Sequence, residues 1–253
     1  MDKKLETYQD LCTQYYDLDK PVLPADEWEF FLDYVRGANG PILEPMCGTG
    51  RFLIPLLEEG YSVDGFDASS YMLQKCRQKV QAADLEAKLW LGFIEDVAIQ
   101  EKYNLVFIPA GSFNLIIDKE AVMQSLQAMY ASLQSGGLFV FELITLEFVL
   151  GLPSGTTRNG SVTCLDGRRI TISSVDLPLV DQVGVSICRY QLLDGNDVLL
   201  TETENFSLRF YSESEMKQLL MSVGFTDIKI IKAFKQGVSP DPDDMVVIYE
   251  CRK

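Results

Sequence analysis

Residues 42–67 read ILEPMCGTGRFLIPLLEEGYSVDGFD, and this stretch decides the fold. The apolar pair Ile42-Leu43 runs into a glycine-rich turn, Cys47-Gly48-Thr49-Gly50. Phe52, Leu53, Leu56 and Leu57 then recur at helical spacing, and the helix stops at Gly60. Pro55 falls early in that helix, where a missing N–H is tolerated. A second strand runs from Tyr61 to Phe66 and delivers Asp67. Strand, turn, helix and strand in this order open a parallel sheet whose right-handed crossovers put helices on both faces.

The same alternation continues downstream. A helix is expected over Ser70–Ala82, strands over Ala87–Leu91 and Tyr103–Ile108, a helix over Ala121–Leu133 capped by Gly136-Gly137, and a fifth strand over Leu138–Ile144. Upstream, Leu5, Tyr8, Leu11, Cys12 and Tyr15 share a helical face. Pro21 and Pro24 break the chain, and Trp28, Phe31, Leu32 and Val35 mark a second short helix. From about Arg158 the pattern changes. Asp166-Gly167 and Asp194-Gly195 are hairpin signals between β-rich runs at Ile170–Ser174, Val183–Leu193 and Val198–Arg209. Ser212 and Glu215 then form a capping box, the helix ends at Gly224, and strands at Asp227–Ile231 and Met245–Tyr249 finish the chain. The expectation is an α/β, doubly wound, seven-stranded core from residues 1–150 and 211–253, with an antiparallel β lobe inserted at 151–210 over the substrate side.

Composition bounds the function. The 253 residues are 47% hydrophobic, enough for one core with an inserted lobe. Net charge is −15 and no basic run occurs, which disfavours nucleic acid and anionic membrane surfaces, both of which select Lys/Arg patches. The six cysteines contain no C-x-x-C pair, and histidine is absent, so no metal site is expected. Free thiols, no apolar leader after Met1-Asp2-Lys3-Lys4 and no bilayer-length apolar run suggest a cytoplasmic protein.

In an open parallel sheet, ligands bind beyond the carboxyl ends of the strands where strand order reverses. The turn Glu44-Pro45-Met46-Cys47-Gly48-Thr49-Gly50 sits there, and Asp67 at the next strand end can accept both hydroxyls of a ribose. Dinucleotides and S-adenosylmethionine both fit this much. The dinucleotide pattern G-x-G-x-x-G requires glycine where this chain has Leu53. A carboxylate at Glu44 repels a pyrophosphate but attracts an ammonium, by about 4 kcal/mol at ~4 Å and an effective dielectric of ~20 before desolvation. The sign selects S-adenosylmethionine.

Glu44-Pro45-Met46-Cys47-Gly48-Thr49-Gly50-Arg51, followed by Gly65-Phe66-Asp67-Ala68-Ser69 and Met72-Leu73, resembles the first two motifs of class I S-adenosylmethionine-dependent methyltransferases. The segment from Arg209-Phe210-Tyr211-Ser212 to Gly224-Phe225 is similar to that family's return helix and strand, and the insert after the fifth strand resembles the branch that methylates small metabolites. The resemblance implies a Rossmann-like fold and a set of roles. Gly48 and Gly50, with Cys47 and Thr49 in the same loop, would pack on the cofactor. Glu44 would hold its amino group and Asp67 its ribose, while Ala68 and Met72 would touch the adenine or ribose side. Tyr16, of the pair Tyr16-Asp17, would close over it, and Ile94 would flank the adenine. The family often has an aspartate after the glycine that follows the third strand, whereas Gly92 here precedes Phe93. Glu95 or Asp96 substitutes, or recognition rests on apolar contact, with Phe93 a packing residue or an adenine contact. After the fourth strand, Pro109-Ala110-Gly111-Ser112-Phe113-Asn114 lacks the Asp/Asn-Pro-Pro-Tyr of base and glutamine methyltransferases. Pro109 and Ser112 are expected on the cofactor side, and Ser112 and Asn114 near the methyl or the acceptor.

The expected reaction is methyl transfer to nitrogen or oxygen of a small molecule, with alignment supplying much of the rate. Without histidine, a base must be Asp, Glu, Tyr, Lys or Cys. Glu142, Asn114 and Tyr16 are the catalytic candidates, with Thr145, Arg209 and Tyr211 nearby; Glu142 reads equally as a structural acceptor, and Cys47 as a small spacer. A cofactor-binding regulator without transferase activity is the alternative, and lobe strands with a free edge would suit a homodimer.

Overall fold

The computed structural model describes residues 5–97, 102–153 and 155–253. The chain opens with helices α1 (Asp10–Asp19) and α2 (Ala25–Gly37). It continues through β1 (Ile42–Pro45), α3 (Leu53–Glu58), β2 (Val63–Asp67), α4 (Ser70–Ala82), β3 (Leu89–Leu91), β4 (Tyr103–Ile108), a 3-10 turn at Ser112–Leu115, α5 (Lys119–Ser132) and β5 (Leu133–Ile144). A short helix α6 (Leu146–Leu150) leads to β6 (Thr157–Thr163), β7 (Arg169–Asp176), β8 (Val183–Asp194) and β9 (Asp197–Arg209). Helix α7 (Glu213–Val223), β10 (Thr226–Lys232) and β11 (Val246–Arg252) complete the core.

The main sheet has seven strands in the order β10-β11-β5-β4-β1-β2-β3. Strands β1 to β5 are parallel, and β11 enters antiparallel between β5 and β10. Its middle strands are buried on both sides, as parallel strands covered by crossover helices must be. Val106 and Ile108 of β4 point into one core with Phe139 and Phe141 of β5, under α5 and α7. Leu105 and Phe107 point into the other with Val140, under α2, α3 and α4. Because β1 pairs with β2 on one side and β4 on the other, its carboxyl end lies at the reversal of strand order, where the crevice opens.

The inserted lobe is a separate four-stranded antiparallel sheet, β6-β7-β8-β9. Both hairpin signals form turns. The second closes on two residues, Gly195 and Asn196, between the paired Asp194 and Asp197, with Gly195 at φ 58°.

Local structure departs from expectation at the end of α5 and at the start of α1. Gly136-Gly137 does not cap α5: the helix ends at Ser132 and passes directly into β5. Gly136, at φ 78°, instead lies in β5 beside the register shift that carries the pairing from Tyr103–Leu133 to Leu105–Leu138. Helix α1 starts at Asp10, later than the apolar spacing suggests, because Tyr8 takes a left-handed φ of 54°. The donors at this helix start are met from the lobe. The Glu204 carboxylate accepts the N–H groups of Tyr8 (3.1 Å) and Gln9 (2.7 Å), and Glu202 accepts that of Leu11 (2.7 Å). Leu11 and Cys12 pack with Ile170, Cys188 and Tyr190, a third core that covers one face of the lobe. Helix α1 therefore sits on the lobe although its sequence precedes the core.

Asn114 joins core to lobe. It is fully buried, its side-chain nitrogen donates to the carbonyls of Ile144 (3.2 Å) and Arg209 (2.7 Å), and its oxygen accepts the Ile144 N–H (2.9 Å). These are the points where the chain leaves β5 and returns from β9. Asn114→Ala leaves three backbone groups without this partner, one buried and two half-buried, and urea denaturation should show a loss of about 3 kcal/mol.

Candidate functional site

A cavity of about 690 Å3 lies over the carboxyl ends of β1, β2 and β4. The segment before α1 and the end of β9 form its far wall. Glu44, the penultimate residue of β1, lines it and is 2% exposed. Its Oε2 is buried without a hydrogen-bond partner. Burial pushes this carboxyl well above the usual carboxylate range, with Cys76 and Asp67 adding to the rise. A cation seated against it would reverse that penalty.

The loop after β1 winds through left-handed residues: Met46 at φ 58°, Gly48 at 56° and Gly50 at 82°. Gly48 and Cys47 line the cavity, and a Cβ on Gly48 would meet nothing within 4 Å, so bare backbone fronts open space there. Gly50 faces the other way: a Cβ would lie 2.8 Å from both Cys76 Sγ and Ile54 Cδ1. Thr49 is buried with its hydroxyl 3.5 Å from Lys79 Nζ. Neither Thr49 nor Gly50 lines the cavity, so both shape the loop from behind rather than presenting atoms to a ligand.

Asp67 ends β2 facing the same cavity. Its Oδ2 accepts the Gly48 N–H at 2.8 Å and its Oδ1 accepts the Ser69 N–H at 2.7 Å. Burial pushes it up to about 6, while those N–H groups and that of Ala68 pull down. With three N–H groups drawing on its two oxygens, one lone pair of the carboxylate remains for a ligand hydroxyl. Ala68 and Met72 line the wall beside it, and Phe93, Ile94 and Glu95 line the next segment, with Ile94 buried.

Pro109 and Ser112 line the cavity after β4. Between them Ala110 and Gly111 hold left-handed φ values of 59° and 63°. The Ala110 N–H donates to Glu142 Oε2 at 3.0 Å. Glu142 is buried and is not part of the cavity wall. Burial and then Glu27 push its carboxyl up to about 7, against the Ala110 N–H, Arg51 and Lys20. The structure thus gives two of the catalytic candidates fastening roles: Glu142 holds the loop after β4, and Asn114, fully buried and outside the cavity wall, is engaged with the backbone of Ile144 and Arg209. Arg209 is similarly engaged, with Nε donating to Ile117 O at 2.5 Å and Nη1 to Asp181 O at 3.0 Å. The Thr145 hydroxyl caps α6 and donates to Asp244 O. Tyr16 does line the cavity, sharing a hydrogen bond with Arg51 that opposes the effect of burial on its hydroxyl.

Both cations of the cavity wall, among the described residues, had no role in the sequence reading. Arg51 directly follows Gly50, which was a usable signal. Its Nη2 lies 3.2 Å from Glu27 Oε2, and its Nε is buried without a partner. Lys20 stacks over the Tyr16 ring at 5.6 Å, and nothing in its local sequence marks it. One stretch of wall therefore holds an orphaned buried acceptor on Glu44 and an orphaned buried donor on Arg51. That is the complement of an ammonium and a carboxylate on one α-carbon, so the residues fit the amino-acid end of S-adenosylmethionine.

Residues 42–137 match the family model described as "Methyltransferase domain". The chain is 28% identical over 136 residues to the putative methyltransferase YqeM of Bacillus subtilis, an alignment covering 54% of this chain and 55% of that relative, so it spans about half the relative's length. It is 24% identical to a glycine/sarcosine N-methyltransferase of Aphanothece halophytica, over 88% of this chain and 80% of that one. Among solved structures, an S-adenosylmethionine-dependent methyltransferase from Clostridium acetobutylicum superposes with a TM-score of 0.79 at 18% identity, covering 94% and 96% of the two chains. The sugar N-methyltransferase KedS8 from a Streptoalloteichus species gives 0.76 at 20%, covering 100% and 96%. The fold is that of S-adenosylmethionine-dependent methyltransferases, and residues 42–137 match a methyltransferase domain.

Glu142 gives this site a measurable pH signature. Its folded-state pKa of about 7 lies above the ordinary 4.5, so the unfolded chain releases the proton first and stability falls as pH rises from about 4.5 to 7. The Glu142→Gln variant keeps an acceptor for Ala110 and cannot ionise. Between pH ~4.5 and ~7.5 the difference in unfolding free energy should move in the variant's favour by about 3 kcal/mol, read by denaturation across pH.

Proposed function

We propose that this chain transfers a methyl group from S-adenosylmethionine to a nitrogen of a small-molecule amine. The carrying observation is that two residues of the cavity wall, Glu44 and Arg51, each hold a buried unpartnered atom, an acceptor on one and a donor on the other, with Asp67 at the next strand end lining the same cavity. In this reading Glu44 holds the cofactor's ammonium and Arg51, with Lys20 behind it, the carboxylate. Asp67 accepts a ribose hydroxyl. Met72 and Ile94 close on the adenine side, and Tyr16 lies across the methionine end. The bound cofactor supplies an already activated sulfonium methyl, so the protein's task is to align a lone pair with it. Pro109–Ser112 form the wall beside the reacting atoms, and Glu142 positions that wall through Ala110.

Nitrogen is favoured over oxygen because relatives of different kinds are N-methyltransferases by name, including the glycine/sarcosine and sugar enzymes above. A neutral amine also needs no base at the moment of attack, whereas a hydroxyl needs one, and Glu142 is turned to the loop.

Calorimetry should give binding of S-adenosylmethionine and S-adenosylhomocysteine and none of NAD. Asp67→Ala should lose about tenfold in affinity or more, a charge-assisted hydrogen bond being removed, and Glu44→Gln about tenfold. S-adenosylhomocysteine release over an amine panel then reports turnover. Absence of binding to the unmodified protein, or unchanged affinity in both variants, overturns the reading.

A further inference from the structure

Leu5, Glu6, Thr7 and Tyr8, ahead of α1, line the cavity although they belong to no helix or strand. Tyr8 holds a left-handed φ of 54°, a conformation that costs any residue with a Cβ and persists only where its surroundings enforce it. Side chains enforce it on both sides of the residue. Glu204 Oε2 accepts the Tyr8 N–H at 3.1 Å, and Oε1 accepts the Gln9 N–H at 2.7 Å. The Tyr8 carbonyl accepts the Ser69 hydroxyl at 2.7 Å and the Thr13 hydroxyl at 3.2 Å. The Tyr8 ring packs edge-on against Tyr16 and Phe206, with centroids 6.3 and 5.9 Å away, and both of these line the same cavity.

Two of these fasteners come from opposite partners. Glu204 lies on β9 in the lobe, buried and outside the cavity wall. Ser69 stands at the start of α4, and its own N–H goes to Asp67 Oδ1 at 2.7 Å. Glu204, Tyr8, Ser69 and Asp67 therefore form one chain of hydrogen bonds from the lobe to the acid at the tip of β2. Helix α1 is held to the lobe independently, by the apolar contacts of Leu11 and Cys12. Parting residues 5–8 from Glu204 and Ser69 thus frees a piece of cavity wall without breaking a strand pair of either sheet.

Resting on the cofactor reading above, we propose that residues 5–8 are a clamp over bound S-adenosylmethionine, latched by Glu204 and Ser69, and that this latch sets how fast the nucleoside leaves. Glu204 is in this sense a positioning residue: it touches no ligand and acts through the backbone of Tyr8 and Gln9. Tyr16, packed on the Tyr8 ring, is held in the wall through it.

Release of radiolabelled S-adenosylhomocysteine from the full chain, chased with unlabelled compound, tests this. Glu204→Ala removes two acceptors and should release it about tenfold faster. Glu204→Gln keeps one accepting oxygen and should fall between the two, and it carries the test alone where alanine unfolds the lobe. Glu202→Gln is the control. Glu202 accepts the N–H of Leu11, inside α1, so this variant loosens the helix start but not the clamp, and release should be unchanged. The Tyr8 and Gln9 amides of the unmodified protein should exchange hydrogen at least about tenfold more slowly with S-adenosylhomocysteine bound, and Glu204→Gln should reduce that protection. Unchanged release from the Glu204 variants, equal acceleration by Glu202→Gln, or exchange at Tyr8 and Gln9 indifferent to S-adenosylhomocysteine overturns the proposal. Failure of S-adenosylhomocysteine to bind the unmodified protein instead removes the cofactor reading, and this proposal with it.

Discussion

The site depends on one carboxylate holding two backbone turns together. Asp67 accepts the N–H of Gly48 from the loop after β1 and the N–H of Ser69 at the start of α4. The loop has three left-handed residues within five positions; its Gly48 N–H goes to Asp67, and the N–H groups of Cys47 and Gly50 go to the carbonyls of Phe66 and Cys47. Asp67 fixes that shape. It does so while partly desolvated, which is why its carboxyl is pushed up to about 6 despite the N–H groups it accepts. Glu44 sits below it with an unmet oxygen, so the first two strand tips form an electron-rich end with an unmet demand for positive charge.

The rest of the cavity is made by elements distant in sequence. Helix α1 is held at its start by Glu202 and Glu204 from β9, and its apolar face is buried against the lobe. It returns to the core through ion pairs of Asp17 with Lys75 and Lys79 and through Ser69 Oγ, which donates to Tyr8 O. Roof and wall are therefore mechanically one piece, tied to the sheet at Ser69, beside the cofactor loop. Asn114 performs the corresponding service at the other side, binding the exits of β5 and β9.

Much of this was legible because it is local. The limits of α4 and β4 follow from apolar period and from Ser69 capping Met72, and both agree with expectation to the residue. Ser212 caps Glu215 as its spacing implies, although the Glu215 carboxylate turns to Gln182 instead of closing the box. Glu44, Gly48 and Asp67 were found because a strand-tip position fixes where a side chain goes. The motif position of Arg51 does not reveal its role, since a long side chain's destination depends on what surrounds it. Gly136 was mistaken for a helix cap because a left-handed glycine suits a cap and a β-bulge equally, and only the pairing partner distinguishes them.

The sequence by itself determined the order of strands and helices, the presence of the lobe, and the two acids that face the cavity, because periodicity, turn chemistry and strand-end position act over a few residues. Only the tertiary structure decided that α1 belongs on the lobe, that Asn114 and Glu142 fasten backbone instead of meeting an acceptor, and that Lys20 and Arg51 reach the cavity wall. Those outcomes depend on which buried groups meet across 30 to 200 residues of chain, and the cost of leaving any of them unpaired is a property of the assembled core.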